Sequence, residues 1–121
     1  MSNAAQAYSR TSHTTAAPRE IEAQALLKAA RQLLDVQANW AGPDKNMHNA
    51  LLFNRRLWSI FMSAAQAEEN QQPVEVRQNI ANIGVFVMKQ TVEMQINPDP
   101  AKLKSLIDIN CNLAAGLSGR G

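Results

Sequence analysis

Carboxylate side chains are the first candidates for chemistry in this 121-residue chain, because a pair of them in a cleft could act as acid and base. Their positions indicate another role. Glu20, Glu75 and Asp99 each stand within two residues of a proline where a helix is predicted to begin. A carboxylate at such a position accepts backbone N–H bonds and favours the positive end of the helix dipole. The sequence therefore predicts helix-terminal groups rather than a catalytic pair.

Histidine and cysteine spacing offers neither a metal site nor an activated nucleophile. His13 and His48 lie far apart, and neither has metal-ligand spacing with Cys111, the single cysteine. Cys111 adjoins an apolar helix face, which is typical of a half-buried structural thiol, and a lone cysteine fits a reduced, cytoplasmic protein. Gly84 stands alone and forms no phosphate-binding loop. We therefore expect no enzyme activity, no cofactor and no metal.

Basic residues provide the one candidate for nucleic-acid binding, in the stretch NRRLW at 54–58. Such a surface combines basic side chains with exposed aromatic rings. Arg55 and Arg56 fall on or near a polar helix face, whereas Trp58 faces an apolar arc and is expected in the core. The remaining charges are scattered and sum to only +2, so RNA contact through Arg55 and Arg56 is the weaker expectation.

The elements that carry these residues are helices, because apolar residues recur at steps of three and four and no strand-type alternation occurs. Proline, glycine and asparagine mark the breaks between the periodic segments, as in AGPDK, NQQP and NPDP. The pattern predicts an all-α protein, a compact bundle of four main helices. The four predicted helices span about 18–40, 45–69, 74–95 and 100–117.

The chain divides into two parts. Residues 1–17 are predicted to be a partly flexible N-terminal segment, with room for a short extra helix near Tyr8. Residues 18–121 are predicted to be the bundle domain. No apolar run approaches the ~20 residues that span a bilayer, and the N-terminus lacks the apolar stretch of a signal peptide. We therefore expect a cytoplasmic protein without membrane insertion, and the sequence leaves its oligomeric state open.

Asparagines on apolar helix faces are the most unusual feature. Asn54 and Asn110 fall near the centres of such faces, Asn79 falls at the edge of another, and Asn112 lies on a polar face. A buried amide is costly unless it is hydrogen-bonded. Each buried asparagine could bond a backbone carbonyl or another asparagine and fix helix register, or the set could line a groove that receives a partner helix. We favour the first interpretation for Asn54 and Asn110.

The third helix carries more apolar surface than one core-facing stripe requires. Beside the stripe that includes Val87, a second group contains Val85, Met88 and Val92. A helix so broadly apolar is either central in the bundle or completed by a partner. Val85, Met88 and Val92 are accordingly the candidate contacts for a partner protein.

The order of several motifs resembles the FlaF family of flagellar biosynthesis regulators of alphaproteobacteria. AY near the N-terminus is followed by REIEA, ALLFNRRLW, NQQPVEVRQNIANIGVFV and LIDINCNLAAGL, so the resemblance covers nearly the whole chain. Each motif is weak by itself, whereas their combined order is fairly specific. Gln72 and Pro73 replace the Leu-Pro typical of the third-helix start, which affects a packing contact rather than the family assignment.

The resemblance implies a small non-enzymatic protein needed for flagellin production and export. Two hypotheses follow from it. The first is a cytoplasmic secretion chaperone that binds flagellin through an apolar groove on the third and fourth helices. The second is a post-transcriptional regulator that acts on flagellin messenger RNA, directly or with a partner translational regulator. It would depend on four basic residues: Arg55, Arg56, Arg77 and Lys89.

Overall fold

The computed structural model of the protein describes residues 17–67 and 69–119, and these residues form four α-helices. A 3₁₀ turn, Pro100–Lys102, leads into the last helix, and the described residues contain no strand. The predicted all-α bundle is confirmed, whereas the predicted extra helix near Tyr8 lies outside the described residues. The helices are α1 Ala17–Ala38, α2 Lys45–Gln66, α3 Val74–Ile96 and α4 Leu103–Leu117.

Local capping residues determine where most of these helices begin and end. Asp44 accepts a 2.9 Å hydrogen bond from the Met47 backbone N–H at the start of α2. Asp99 accepts one of 2.9 Å from the Ala101 N–H and so begins the turn before α4. After α4, Gly119 adopts φ 75°, a left-handed conformation that glycine reaches without steric cost.

The end of α2 differs from the prediction. We expected this helix to reach residue 69, but it ends at Gln66. The Asn70 side chain donates a 2.8 Å hydrogen bond to the Ala64 carbonyl. Arg77, one turn into α3, donates from Nε to the Ala65 carbonyl at 2.6 Å and from Nη2 to the Ala67 carbonyl at 3.3 Å. These side chains add hydrogen bonds to carbonyls at the helix end, two of which, those of Ala64 and Ala67, also accept a backbone N–H.

The core lies between two helix pairs, α1 with α4 and α2 with α3. Short connections and alternating direction place the start of α1, the end of α2, the start of α3 and the end of α4 at the same end of the bundle. Trp58 is fully buried at the centre, and its ring meets that of Phe61 edge-on with centroids 5.6 Å apart. The largest apolar side chains buried with Trp58 are Leu26, Leu33, Met47, Leu51, Met94, Leu103 and Leu106.

Helix α3 approaches α2 closely at Gly84. A Cβ atom at this position would lie 2.5 Å from both Cγ and Sδ of Met62, so any larger residue would require the Met62 side chain to shift. Val87, Thr91 and Met94 continue the buried face of α3. The Thr91 hydroxyl donates a 2.7 Å hydrogen bond to the Val87 carbonyl and is thereby satisfied within the helix.

Two sequence-based expectations about burial were wrong. Asn79, expected at the edge of an apolar face, is exposed. It is therefore not a polar residue of the core. Cys111 is also exposed rather than half-buried, since Asn110 and Ala114 occupy the buried positions of its helix.

Candidate partner-binding surface

An exposed apolar stripe runs along α3 on the side away from the core. Val85 is 45% exposed, Val92 50% and Ile96 69%. Their spacings of seven and four residues place them on one helix face, over about 16 Å of helix length. We call these three residues the outer stripe. The buried residues Val87 and Met94 lie nearly on the opposite side, so α3 is apolar on both faces.

The stripe remains exposed because α3 is a peripheral helix. It packs mainly against α2 and touches α4 only slightly, whereas α1 packs extensively against α4. The interior face of α3 is therefore covered and the outer face is not. An exposed apolar line on one helix is a feature that natural proteins use to receive a partner helix.

The sequence-predicted contact residues do not all belong to this surface. Val85 and Val92 lie in the outer stripe, whereas Met88 is half-buried and packs against the core. Sequence reasoning missed Ile96, which continues the stripe, and Phe86, which flanks it with 42% exposure. The seven- and four-residue spacings that join Val85, Val92 and Ile96 are present in the sequence, but the sequence alone does not reveal which face of α3 is covered.

Charged residues border the stripe. Lys89 is exposed on the same side of α3. Beside it, the Glu93 carboxylate accepts a 3.1 Å hydrogen bond from the Lys102 ammonium. This hydrogen bond and the charge of Lys102 hold the pKa of Glu93 below its usual value, so Glu93 stays ionised at neutral pH. A partner helix would thus meet an apolar line with polar margins, the usual arrangement of a binding surface.

A family model described as flagellar protein FlaF matches residues 4–117. The chain belongs to the FlaF family. No match was found among curated proteins or among solved structures. Membership in FlaF connects the helical bundle with the bacterial flagellum. Within the part of the chain that the structure describes, no helix of this FlaF protein has both the length and the apolar character to cross a membrane.

The buried asparagines of this FlaF bundle join α2 to α4. Asn54 and Asn110 are both fully buried. The Trp58 indole N–H donates a 3.0 Å hydrogen bond to Asn110 Oδ1, and Asn110 Nδ2 donates one of 2.7 Å to Asn54 Oδ1. We call this chain of hydrogen bonds the asparagine relay. It lies in the core, so these two asparagines do not form part of the exposed surface.

The indole of Trp58 fixes the direction of the relay. An indole nitrogen can only donate, so Asn110 must present its oxygen to Trp58 and its nitrogen to Asn54. Asn54 must then present its oxygen to Asn110, which leaves Asn54 Nδ2 pointing elsewhere. This buried nitrogen has no hydrogen-bond partner among the described residues. The sequence indicated that the asparagines need partners, but gave no sign that tryptophan would be one of them.

The basic residues considered for RNA contact occupy different environments in this FlaF chain. Arg55, Arg56 and Lys89 are exposed, but the Arg77 guanidinium is committed to the carbonyls at the end of α2. Trp58, the aromatic residue of NRRLW, is buried. The described residues thus give the two adjacent arginines no exposed tryptophan on which a base could stack.

Proposed function

We propose that this FlaF protein is a cytoplasmic, non-enzymatic secretion chaperone that binds flagellin through the outer stripe of α3. The exposed line of Val85, Val92 and Ile96 is the observation that carries the proposal. Family membership supports a flagellar role, and the stripe supports capture of an apolar helical partner. The bundle serves as the rigid support that presents this line.

Flagellin is a suitable partner because its terminal segments are helical and amphipathic in the assembled filament. An unpolymerised subunit therefore exposes apolar faces that need cover before export. Val85 and Val92 are each about half exposed, and Ile96 more so. Covering the remaining surface of one such side chain yields about 1 kcal/mol, and the outer stripe as a whole about 3 kcal/mol. That amount is sufficient to guide recognition without making release difficult.

Calorimetric titration of the full chain with purified flagellin tests this proposal. The informative variant replaces Val85 and Val92 together by Glu. Met88 is unsuitable because it packs against the core. Loss of about 2 kcal/mol of apolar contact should weaken binding roughly 30-fold or more. Because both positions are exposed, the melting temperature should stay close to that of the parent.

Leu34→Glu is the matched control. Leu34 is 49% exposed, as the two valines are, but it lies on α1, which packs mainly against α4. This variant should bind flagellin as the parent does. If Leu34→Glu and the double valine variant weakened binding equally, a nonspecific effect of charge would explain the result and the outer stripe would lose its role.

Regulation of flagellin messenger RNA is the second candidate, because Arg55 and Arg56 are adjacent and exposed. Binding through phosphate contacts should weaken steeply as salt increases, whereas apolar helix capture should not. The regulator would replace the chaperone as the proposed function under two conditions. The protein would bind RNA tightly and lose that binding in the double variant Arg55→Gln and Arg56→Gln, and titration with flagellin would release no heat. A partner translational regulator could be added to the same titration.

A further inference from the structure

A cleft opens at the end of the bundle where α1 and α3 begin and α2 and α4 end. Its volume is about 190 Å³, and Phe61, Ile80, Leu113 and Leu117 form its apolar lining. Cavities of about 150 Å³ admit a benzene molecule, so this one is large enough for a single aromatic ring. The cleft lies within the bundle and does not include the outer stripe.

One carboxylate stands in the lining of the cleft. Glu22 is half-buried there, and among the described residues it forms no ion pair. Burial raises the pKa of Glu22, an effect that Arg19, one turn earlier on α1, only partly opposes. An apolar pocket with an unpaired carboxylate suits an occupant that has both an aromatic ring and a positive charge.

We propose that this chain's own N-terminal segment, residues 1–16, occupies the cleft, with the Tyr8 ring against its apolar lining and the Arg10 guanidinium on Glu22. Tyr8 is the only aromatic residue of this segment, and Arg10 its only lysine or arginine. The two therefore supply the ring and the charge that the cleft lacks. Tyrosine also suits a site with a polar rim, because its hydroxyl can stay at the surface.

The length of the segment allows this contact. The described helix α1 begins at Ala17, and Glu22 lies five residues further on, about 7.5 Å along the helix axis. Arg10 precedes Ala17 by seven residues, which can span up to about 24 Å of extended chain. A short reversal of the chain is therefore enough to return Arg10 to Glu22. The family match begins at residue 4, so it includes Tyr8 and Arg10.

Paramagnetic NMR on the full chain tests the proposal, since the chain has a suitable single cysteine. Cys111 is exposed on α4, and the cleft residues Leu113 and Leu117 follow it by about 3 Å and 9 Å along the helix. A nitroxide attached to Cys111 should remove most of the Tyr8 ring signal. A diamagnetic label at the same cysteine is the reference. An unchanged Tyr8 signal would overturn the proposal.

Charge exchange provides the specific control. Arg10→Glu should restore the Tyr8 signal, and adding Glu22→Arg to that variant should remove it again by re-forming the pair with reversed charges. In the parent, the Glu22 carboxyl should titrate at lower pH than in Arg10→Gln, because the guanidinium favours the ionised form. Equal titration in both proteins would show that Arg10 does not reach Glu22. Circular dichroism of each Arg10 variant checks that the bundle keeps its fold.

Other occupants give different outcomes. A mixture of two samples detects a second copy in the cleft: one carries the nitroxide, and the other carries the isotope label and no nitroxide. Broadening of the Tyr8 signal only in that mixture would contradict the proposal. A different outcome is that flagellin displaces Tyr8 from the cleft while the double variant Val85→Glu and Val92→Glu binds flagellin as the parent does. That result would place flagellin in the cleft and remove the outer stripe from the proposed function. The inference itself rests on the cleft and the segment, and it stands if flagellin does not bind at all.

Discussion

Replacing Asn110 by Leu should destabilise the bundle more than the same replacement of Asn54, its partner in the asparagine relay. The substitution is close in size, so it leaves no large cavity. It removes the acceptor for the Trp58 indole N–H, 3.0 Å away, and the donor for Asn54 Oδ1, 2.7 Å away. Both groups stay buried, because Trp58 and Asn54 are fully enclosed.

The size of the effect follows from these two stranded groups. Each buried polar group without a partner costs about 1 to 3 kcal/mol, or about 4 kcal/mol for two at the middle of that range. The leucine side chain recovers about 1 to 2 kcal/mol through its apolar surface. We therefore expect the free energy of unfolding to fall by about 2 to 3 kcal/mol. For a domain of this size, each kcal/mol lowers the melting temperature by about 4 °C or more.

Asn54→Leu should cost less, even though Asn54 is just as buried. It strands Asn110 Nδ2, but it also removes Asn54 Nδ2, which has no partner among the described residues. The two contributions oppose each other, so the net change should stay within about 1 kcal/mol. Asn112→Leu is the surface control and should change stability by less than about 0.5 kcal/mol.

Urea unfolding followed by circular dichroism measures all three variants. The transition should be single and cooperative for each, since the helices share one core. Asn110→Leu should be the most destabilised of the three, and Asn54→Leu and Asn112→Leu should both stay within about 1 kcal/mol of the parent. Equal destabilisation by the first two would refute the direction assigned to the relay, and parent-like stability in all three would refute its burial.

Two further variants test the packing of α3. Gly84→Ala should destabilise the bundle by about 1 to 3 kcal/mol in urea unfolding, since the new methyl group would displace the Met62 side chain. A parent-like midpoint would show that Met62 moves aside without cost. Arg77→Met should lower the free energy of unfolding by about 1 to 3 kcal/mol and speed amide exchange at the end of α2, because the Ala65 and Ala67 carbonyls lose a charged donor. Unchanged amide exchange at the end of α2 would count against this capping role.

Local sequence signals predict most of the helix limits, because the residues that cause them are neighbours in the chain. Asp44 and Asp99 cap the helices that directly follow them, and Gly119 ends α4. The end of α2 could not be predicted in this way. Its carbonyls are satisfied by Arg77 of the next helix, a tertiary contact that leaves no periodic signal near residue 66.

The candidate surface was predictable only in part, for a related reason. Periodicity showed that α3 is apolar on more than one side, and it correctly placed Asn54 and Asn110 on buried faces. It could not show that α3 packs mainly against α2. That arrangement leaves Val85 and Val92 exposed, half-buries Met88 and turns Asn79 outward.

Methyl NMR during addition of flagellin tests the proposed binding surface most directly. The full chain would carry labelled valine, leucine and isoleucine methyl groups. The methyl signals of Val85, Val92 and Ile96 should shift or broaden as flagellin saturates the protein, while those of Leu34 should stay unchanged. Unchanged signals from the outer stripe at saturation, or changes confined to Leu113 and Leu117 of the cleft, would contradict it.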